Sequence, residues 1–249
     1  MFEYNRIFSG VHDVNMMLLY NQQQSDNSNP DNFLNSLPKR KQGIAGRMSY
    51  SYGGRYLAEA NFGYNGSENF AKGHRFGFFP SVSVGWNIAR ENFMKPVAGD
   101  WLSDLKLRGT WGQIGNQGID PYQSLSIYEN KVDYADGDGN KLTSMQIKSL
   151  QNEGLKWERT SSWNAGLDFG FFNGRLNGAF DYYRKNTKDL LVERALPYSS
   201  GFATVMINEG SLLNKGFEFS LNADIIRSNG WKWNVGGNIG FNKTTIENL

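Results

Sequence analysis

The sequence contains no cysteine, only two histidines and no long apolar run. The lack of cysteine excludes disulfide bonds, thiolate metal sites and a cysteine nucleophile. The two histidines, His12 and His74, leave little imidazole for catalysis or metal binding. No run of 18 apolar residues occurs, so the sequence predicts no transmembrane helix. Most enzyme classes therefore lack their usual residues in this chain.

Positive and negative charges nearly cancel. Twenty-six Lys and Arg residues against 24 Asp and Glu residues give a formal charge of +2. This balance is far from the concentrated basic field that nucleic-acid binding requires, and we expect no nucleic-acid partner.

The first ten residues, MFEYNRIFSG, lack the basic start and apolar core of a signal peptide. We therefore expect the true start of the protein to lie upstream.

Glycine and aromatic residues are plentiful. The 249 residues include 29 Gly but only 6 Pro, together with 17 Phe, 12 Tyr and 7 Trp. This mixture of turn formers and strand formers is typical of an all-β chain. The mean hydropathy is nevertheless −0.56, so the polar residues must be distributed regularly among the apolar ones.

Three segments alternate apolar and polar residues with a period of two, which indicates β-strands and excludes helices. They are 155–171, 217–225 and 231–242. In the first segment only Arg159 and Ser161 break the alternation. Its apolar positions are Leu155, Trp157, Trp163, Ala165, Leu167, Phe169 and Phe171.

Weaker alternation elsewhere brings the total to about ten predicted strands. These further strands are predicted at 2–8, 14–20, 44–52, 56–64, 82–88, 105–111 and 176–182.

The predicted connections differ in length. Short turns at Ser9-Gly10, Gly53-Gly54 and Phe172-Asn173-Gly174 indicate antiparallel hairpins. Alternate connections are long and rich in Asn, Ser, Gly and Asp, at 22–42, 65–79, 112–154 and 189–215. Short turns at one end and long loops at the other are typical of a transmembrane β-barrel.

Strand length separates this barrel from a soluble sandwich. Sandwich strands average about 5 to 6 residues, whereas a tilted strand needs about 9 to 11 to cross a bilayer. Several predicted strands reach that length.

Aromatic residues near strand ends are candidates for the interfacial girdle of a barrel, although aromatic residues also favour strands in general. They are Tyr50, Tyr52, Tyr56, Tyr64, Trp157, Tyr182, Tyr183 and Trp231.

Five blocks of sequence carry a family resemblance over nearly the whole chain, and they occur in the family's order. The chain resembles the SusC/RagA class of TonB-dependent outer-membrane transporters. The blocks are GRMSYSYGGRYLAEANFGYNGSENF (46–70), FFPSVSVGWNIARENF (78–93), LKLRGTWGQIGNQGIDPYQ (105–123), LKWERTSSWNAGLDFGFFNGRLNGAFDYYRKNTKDLL (155–191) and NEGSLLNKGFEFSLN (208–222).

The resemblance implies a 22-stranded antiparallel barrel closed around a plug, in the outer membrane of a Gram-negative, Bacteroidetes-like cell. It implies import of glycan oligosaccharides or peptides, with a SusD-like surface lipoprotein as lid and TonB as the partner of N-terminal regions. We expect residues 1–249 to form part of this barrel domain, with the plug, the TonB box and the terminal strands absent. The barrel wall would contact outer-membrane lipid.

Other sequence motifs do not match known chemical sites. The DGDGN stretch at 136–140 resembles the start of an EF-hand, but Lys141 and Ile147 occupy the positions of the glycine and of the bidentate glutamate. The GQIGNQG stretch at 112–118 fits neither the dinucleotide nor the Walker spacing. Glu158 and Asp168 lie ten residues apart, about 33 Å along a strand, too far for a glycosidase pair. We expect no catalytic residue, cofactor or metal.

Aromatic residues in the long loops are the candidate ligand contacts, because a flat apolar ring matches the C–H face of a sugar. Packing within the loops is the alternative role for each of them. The main candidates are Tyr122, Tyr128, Tyr134 and Tyr198, and Phe70 and Phe202 have similar positions.

Two other functions fit the same alternation. A passive porin-like barrel would lack a plug and a TonB box upstream, whereas a secreted β-rich glycan-binding domain would partition into water and not into detergent. The leading prediction is a piece of a nutrient importer.

Overall fold

The computed structural model describes residues 1–30, 36–98, 101–119, 124–135, 137–139, 141–228 and 230–248. Fourteen strands form in this part of the chain. They are β1 (Phe2–Phe8), β2 (His12–Ser25), β3 (Lys39–Tyr52), β4 (Tyr56–Ser67), β5 (Phe76–Asn87), β6 (Leu102–Asn116), β7 (Ile127–Ala135), β8 (Lys141–Ser149), β9 (Glu158–Phe171), β10 (Leu176–Lys188), β11 (Leu191–Ala195), β12 (Thr204–Asn208), β13 (Ser211–Ser228) and β14 (Trp231–Asn248).

Ten of these strands form one sheet in the order β1-β2-β3-β4-β5-β6-β9-β10-β13-β14. Every neighbouring pair is antiparallel. The pairs β7-β8 and β11-β12 form separate two-stranded sheets in two of the long connections. The predicted all-β antiparallel fold is confirmed, and each of the ten predicted strands overlaps one strand of the large sheet.

Helices are few. A 3-10 turn at Ile88–Arg90 and an α-helix, α1, at Lys95–Ala98 lie between β5 and β6, and a second 3-10 turn spans Tyr198–Ser200. No helix in the described ranges has the length and apolar character needed to cross a membrane.

The alternating sequence gives the large sheet two chemically different faces. Leu107, Leu167, Phe180, Phe219 and Ile239 are opposed in register across β6, β9, β10, β13 and β14. We call the side that carries this row the apolar face. One residue further along each strand, the row on the other side includes Arg108, Asp181 and Glu218, and we call that side the polar face.

The apolar face does not pack into a core. Phe180 and Ile239 are exposed there, as are many other large apolar side chains of the sheet. A water-soluble sheet of this size would cover such a face with a second layer. In the described part of the chain only four apolar side chains are buried, and they are Phe70, Leu102, Leu155 and Trp157.

The tight turns lie at one end of the sheet, and four of the five longer connections lie at the other. The predicted short turns after β1, β3 and β9 are confirmed, and positive φ angles at Gly10 and Gly174 produce the tight reversals. This short-turn end also carries the longer β5–β6 connection at 88–101. The opposite, long-connection end carries segments 26–38, 68–75, 117–157 and 189–210.

Two hairpins were not predicted. Segments 127–149 and 191–208 were expected to be loops, yet they contain β7-β8 and β11-β12. β11 and β12 have only five residues each, too few to show a clear period of two. β7-β8 contains register irregularities that interrupt its pattern.

Two glycines of the sheet allow a matched test of strand packing. A Cβ atom at Gly216 would collide with the backbone carbonyl oxygen of Phe241 and with the ring of Tyr183, whereas a Cβ atom at Gly237 would meet no atom within 4 Å. We expect Gly216→Ala to lower the free energy of unfolding by about 1 to 3 kcal/mol, as overpacked sites do. Gly237→Ala should change it by less than about 0.5 kcal/mol. Denaturant titration of the full-length protein in detergent measures both, and equal effects would contradict the register of β13 with β14.

Candidate functional site: the polar face and the long connections

The long connections meet in a small buried cluster, which we call the loop cluster. Phe70 and Leu155 have no exposed surface, and Trp157 is 7% exposed. The Phe70 and Trp157 rings lie 5.3 Å apart between centroids, and Phe79 of β5 contacts Trp157 edge-on at 5.4 Å. Ile119, Leu191 and Met206 pack around this centre. The cluster therefore joins three of the long connections to each other and to the sheet.

Hydrogen bonds to the backbone fix the centre of the loop cluster. The indole Nε1 of Trp157 donates to the carbonyl oxygen of Arg75 at 3.0 Å, and Nε of Arg75 donates to the carbonyl oxygen of Phe70 at 3.2 Å. A buried indole N–H needs such a partner. The β4–β5 connection is thereby held against the residues that precede β9.

A second set of polar contacts ties the segment before β9 to the β10–β13 connection. The Asn208 side chain accepts a hydrogen bond from the backbone N–H of Lys156 at 2.9 Å and donates to its carbonyl oxygen at 2.8 Å. Lys156 also pairs with Asp189 at 3.0 Å, and Asn152 donates to the carbonyl oxygen of Met206 at 2.8 Å. These connections form an ordered layer and not a set of independent loops.

The loop cluster corrects three expectations. Leu155 and Trp157 were predicted to lie on the apolar side of one long strand, but β9 begins at Glu158 and both side chains are buried before it. Trp157 was therefore wrongly predicted as a girdle residue. Phe70 was a candidate for sugar stacking and has no exposed surface, so packing is its role.

The four candidate ligand tyrosines are not brought together by the described structure. Tyr122 lies outside the described residues, and so does the side chain of Tyr134, whose backbone belongs to β7. Tyr128 is exposed on β7, and Tyr198 is fully exposed in the 3-10 turn between β11 and β12. Tyr128 and Tyr198 thus lie in different long connections, and their role in ligand binding stays a prediction.

The polar face carries an ion-pair network across three strands. Nε of Arg108 on β6 lies 3.1 Å from both carboxylate oxygens of Asp168 on β9. Its Nη2 donates to Asp181 on β10 at 2.7 Å. All three side chains are between 20% and 29% exposed, so the network is open to water on one side. Period-two alternation could not pair these residues, because Arg108 lies 60 positions from Asp168 and 73 positions from Asp181 in the sequence.

The polar face carries hydrogen-bonding side chains beside the ion-pair network. A depression of about 340 Å³ beside the network is lined by groups that include Ser49, Glu59, Lys106 and Thr110. Within the described ranges no cluster of three or more His, Cys, Asp or Glu side chains could hold a metal ion. In the DGDGN stretch, Asp136 and Asn140 lie outside the described residues.

A buried carboxylate anchors the β5–β6 connection at the short-turn end. Glu91 is 6% exposed, and its carboxylate accepts hydrogen bonds from Trp86 Nε1 at 3.0 Å and from Arg55 Nη1 at 3.3 Å. A hydrogen bond from Tyr56 is the largest of the effects that lower the pKa of Glu91 below its usual 4.5, followed by the bond from Trp86. Burial acts in the opposite direction but is outweighed. The charged carboxylate thus holds the connection to the adjacent β3–β4 turn.

This anchor predicts a pH dependence. Because the pKa of Glu91 is lowered in the folded state, its contribution to stability is complete above the ordinary pKa and is lost as the pH falls through the folded-state value. We expect Glu91→Gln to lower the unfolding temperature of the full-length protein at pH 7. At pH 3 the unfolding temperatures of the variant and of wild type should differ less. Exposed Glu3 provides the control as Glu3→Gln. A constant difference between wild type and Glu91→Gln from pH 7 to pH 3 would contradict this role.

Sequence comparison relates the chain to outer-membrane receptors. It is 44% identical over 207 residues to the TonB-dependent receptor SusC of Bacteroides thetaiotaomicron, which covers 82% of this chain and 20% of that protein. It is 35% identical over 206 residues to the TonB-dependent receptor P3 of Formosa agariphila, covering 83% of this chain and 20% of the relative. The chain thus spans about a fifth of the length of these relatives.

Structure comparison gives the same relationship. The fold matches a chain of the RagAB peptide importer in its closed-closed state with a TM-score of 0.84 and 25% identity, over 99% of this chain and 29% of the other. A sequence model described as "TonB dependent receptor-like, beta-barrel" matches residues 2–248. Together with the identity to SusC, this match assigns the chain to the TonB-dependent receptor-like β-barrel family.

Proposed function

We propose that this chain forms part of the wall of a TonB-dependent importer in a Gram-negative outer membrane. In this proposal the apolar face contacts lipid and the polar face lines the lumen. The observation that carries the proposal is the exposed apolar face of a ten-stranded sheet, over which the described residues form no second layer. A lipid-facing surface needs this pattern, because hydrocarbon takes the place of the core.

The height of the apolar face supports a membrane position. On β9 it runs from Trp163 to Phe171, which is nine residues and about 27 Å from the first to the last along an antiparallel strand. With a strand tilt of about 40°, this length spans about 21 Å, close to the apolar band of about 25 Å in outer-membrane barrels. Hydrogen bonds between the strands pair the backbone N–H and C=O groups inside that band.

The polar face suits a wet or plug-filled lumen. The Arg108 network is partly exposed, and the buried Oδ1 atom of Asn164 has no hydrogen-bond partner among the described groups. Buried polar atoms normally find a partner. Water or a plug domain supplied by other parts of the protein would provide one.

Substrate and partners follow from the family. The similarity to the RagAB peptide importer supports import of a peptide, and the resemblance to the SusC/RagA class supports an oligosaccharide as the other substrate class. We propose a SusD-like surface lipoprotein at the long-connection end, and TonB as the partner of regions outside this chain. The loop cluster would hold the long connections in a fixed arrangement for both substrate and lipoprotein. The outer membrane is the proposed location.

The assignment of the faces predicts opposite tolerance to charge. Leu167 and Leu221 lie midway along the apolar face, so Leu167→Arg or Leu221→Arg in the full-length receptor should cost about 2 to 4 kcal/mol of folding free energy. The matched controls Asn164→Arg and Asn222→Arg place the same charge on the polar face and should cost much less. Equilibrium unfolding in lipid vesicles measures all four variants. Equal costs on the two faces would reject the lipid-facing assignment.

The long connections predict where the substrate determinants lie. The β7-β8 hairpin pairs only with itself, so deletion of residues 127–149 from the full-length receptor should leave the barrel folded. We expect the deletion to impair substrate capture, which a whole-cell uptake assay measures against total receptor in the membrane.

A second deletion serves as the control for this experiment. Removal of residues 191–208 takes Leu191 and Met206 from the loop cluster and should lower the amount of folded receptor. A receptor that lacks 127–149 and imports normally would show that this hairpin plays no part in capture.

A further inference from the structure

Three cations lie directly opposite one another on three neighbouring strands. In the register of the large sheet, Arg184 of β10 is opposed to Lys215 of β13, and Lys215 is opposed to Lys243 of β14. All three side chains are exposed. We call this set the cation row. It spans two strand spacings, or about 10 Å.

The cation row lies at the edge of the apolar face. Two residues toward the short-turn end, the next row on the same face contains Tyr182, Phe217 and Phe241. In the other direction across the sheet, Arg184 is opposed to Trp163, which is opposed to Trp111. Indole rings at this height are typical of a membrane interface. In the proposed membrane position, the three cations therefore lie at the level of lipid headgroups, at the long-connection end.

No anionic side chain neutralises the cation row in the described structure. None of its three side chains has a hydrogen bond or ion pair with another described residue. Glu247 lies four residues beyond Lys243, about 14 Å along the strand. Like charges in directly opposed positions destabilise a sheet.

Elsewhere on the same face a cation has an acidic partner. Near the long-connection end of β3, Arg40 lies 3.7 Å from the Glu68 carboxylate. Arg184, Lys215 and Lys243 have no equivalent carboxylate among the described residues, so their charge is open to an anion from outside this part of the chain.

We propose that the cation row binds the phosphate groups of an anionic lipid headgroup in the leaflet at the long-connection end. This inference rests on the proposed membrane position of the apolar face. The Arg184 guanidinium can hold a phosphate through two parallel hydrogen bonds, and the two lysines add point charges. A row about 10 Å long accommodates a headgroup that carries more than one phosphate. Bound phosphate relieves the repulsion between the opposed cations and anchors this sector of the wall at a fixed height.

Lipid binding by the full-length receptor tests the proposal. Diphosphoryl lipid A and its fully dephosphorylated form are the probes, and native mass spectrometry in detergent counts the bound lipid. The test variant is Arg184→Gln/Lys215→Gln/Lys243→Gln. The control variant, Arg47→Gln/Lys106→Gln/Lys185→Gln, removes three cations from the polar face. Each cation near a charged surface contributes about fivefold in affinity. The affinity for diphosphoryl lipid A should therefore fall more than about tenfold in the test variant and less than about twofold in the control.

Thermal stability provides a second measurement that needs only one substitution. In phosphatidylcholine nanodiscs, Lys215→Gln should raise the unfolding temperature because it removes repulsion from both neighbours. In nanodiscs that also contain diphosphoryl lipid A, the same substitution should lower it. A change of sign between the two membranes is expected only if the row binds the anionic lipid.

Several results would overturn the proposal. They are equal binding of dephosphorylated lipid A, undiminished binding by the test variant, an effect of Lys215→Gln with the same sign in both membranes, or equally tight binding of inorganic phosphate alone. Heat-dependent mobility of the wild-type receptor on gels reports separately whether the chain belongs to a membrane barrel. Failure of lipid binding is thereby distinguished from failure of the membrane assignment.

Discussion

The structure depends on one constraint: the hydrogen-bonded register of ten antiparallel strands. Because side chains alternate along a strand, this register gathers the apolar residues of the whole sheet on one side and the polar residues on the other. A shift of one residue in β9 would place Leu167 among charges and Asp168 among apolar side chains. The two faces, the Arg108 network and the cation row all follow from the same pairing.

Much of this architecture could be predicted from the sequence. Period-two alternation located all ten strands of the large sheet, and short glycine-containing segments such as Gly53-Gly54 located three of the turns. What could not be predicted are contacts between residues distant in the chain. Trp157 was assigned to the apolar face by parity, but its ring packs on Phe70, and nothing local distinguishes that position. The pairing of Arg108 with Asp181 likewise required the register, and so did the alignment of Arg184, Lys215 and Lys243.

The two ends of the sheet are stabilised by different chemistry. At the short-turn end a single charged carboxylate, Glu91, collects hydrogen bonds from Arg55 and Trp86 and fixes one longer connection. At the other end aromatic burial around Phe70 and Trp157 holds three connections together. A layer built on such a cluster can keep its geometry when a surface hairpin such as β7-β8 is altered, because loops tolerate change. In the proposed importer, this arrangement would separate the stability of the wall from the recognition of substrate.

Contact of the apolar face with lipid and of the polar face with water can be measured directly by the accessibility of spin labels along β9. The chain has no cysteine, so single cysteines at Ala165, Gly166, Leu167 and Asp168 can each carry one label in an otherwise cysteine-free receptor in bilayers. Membrane-soluble oxygen should relax the labels at 165 and 167, and a water-soluble nickel complex should relax the labels at 166 and 168. Accessibility without a period of two, or with the opposite phase, would contradict this assignment of the faces.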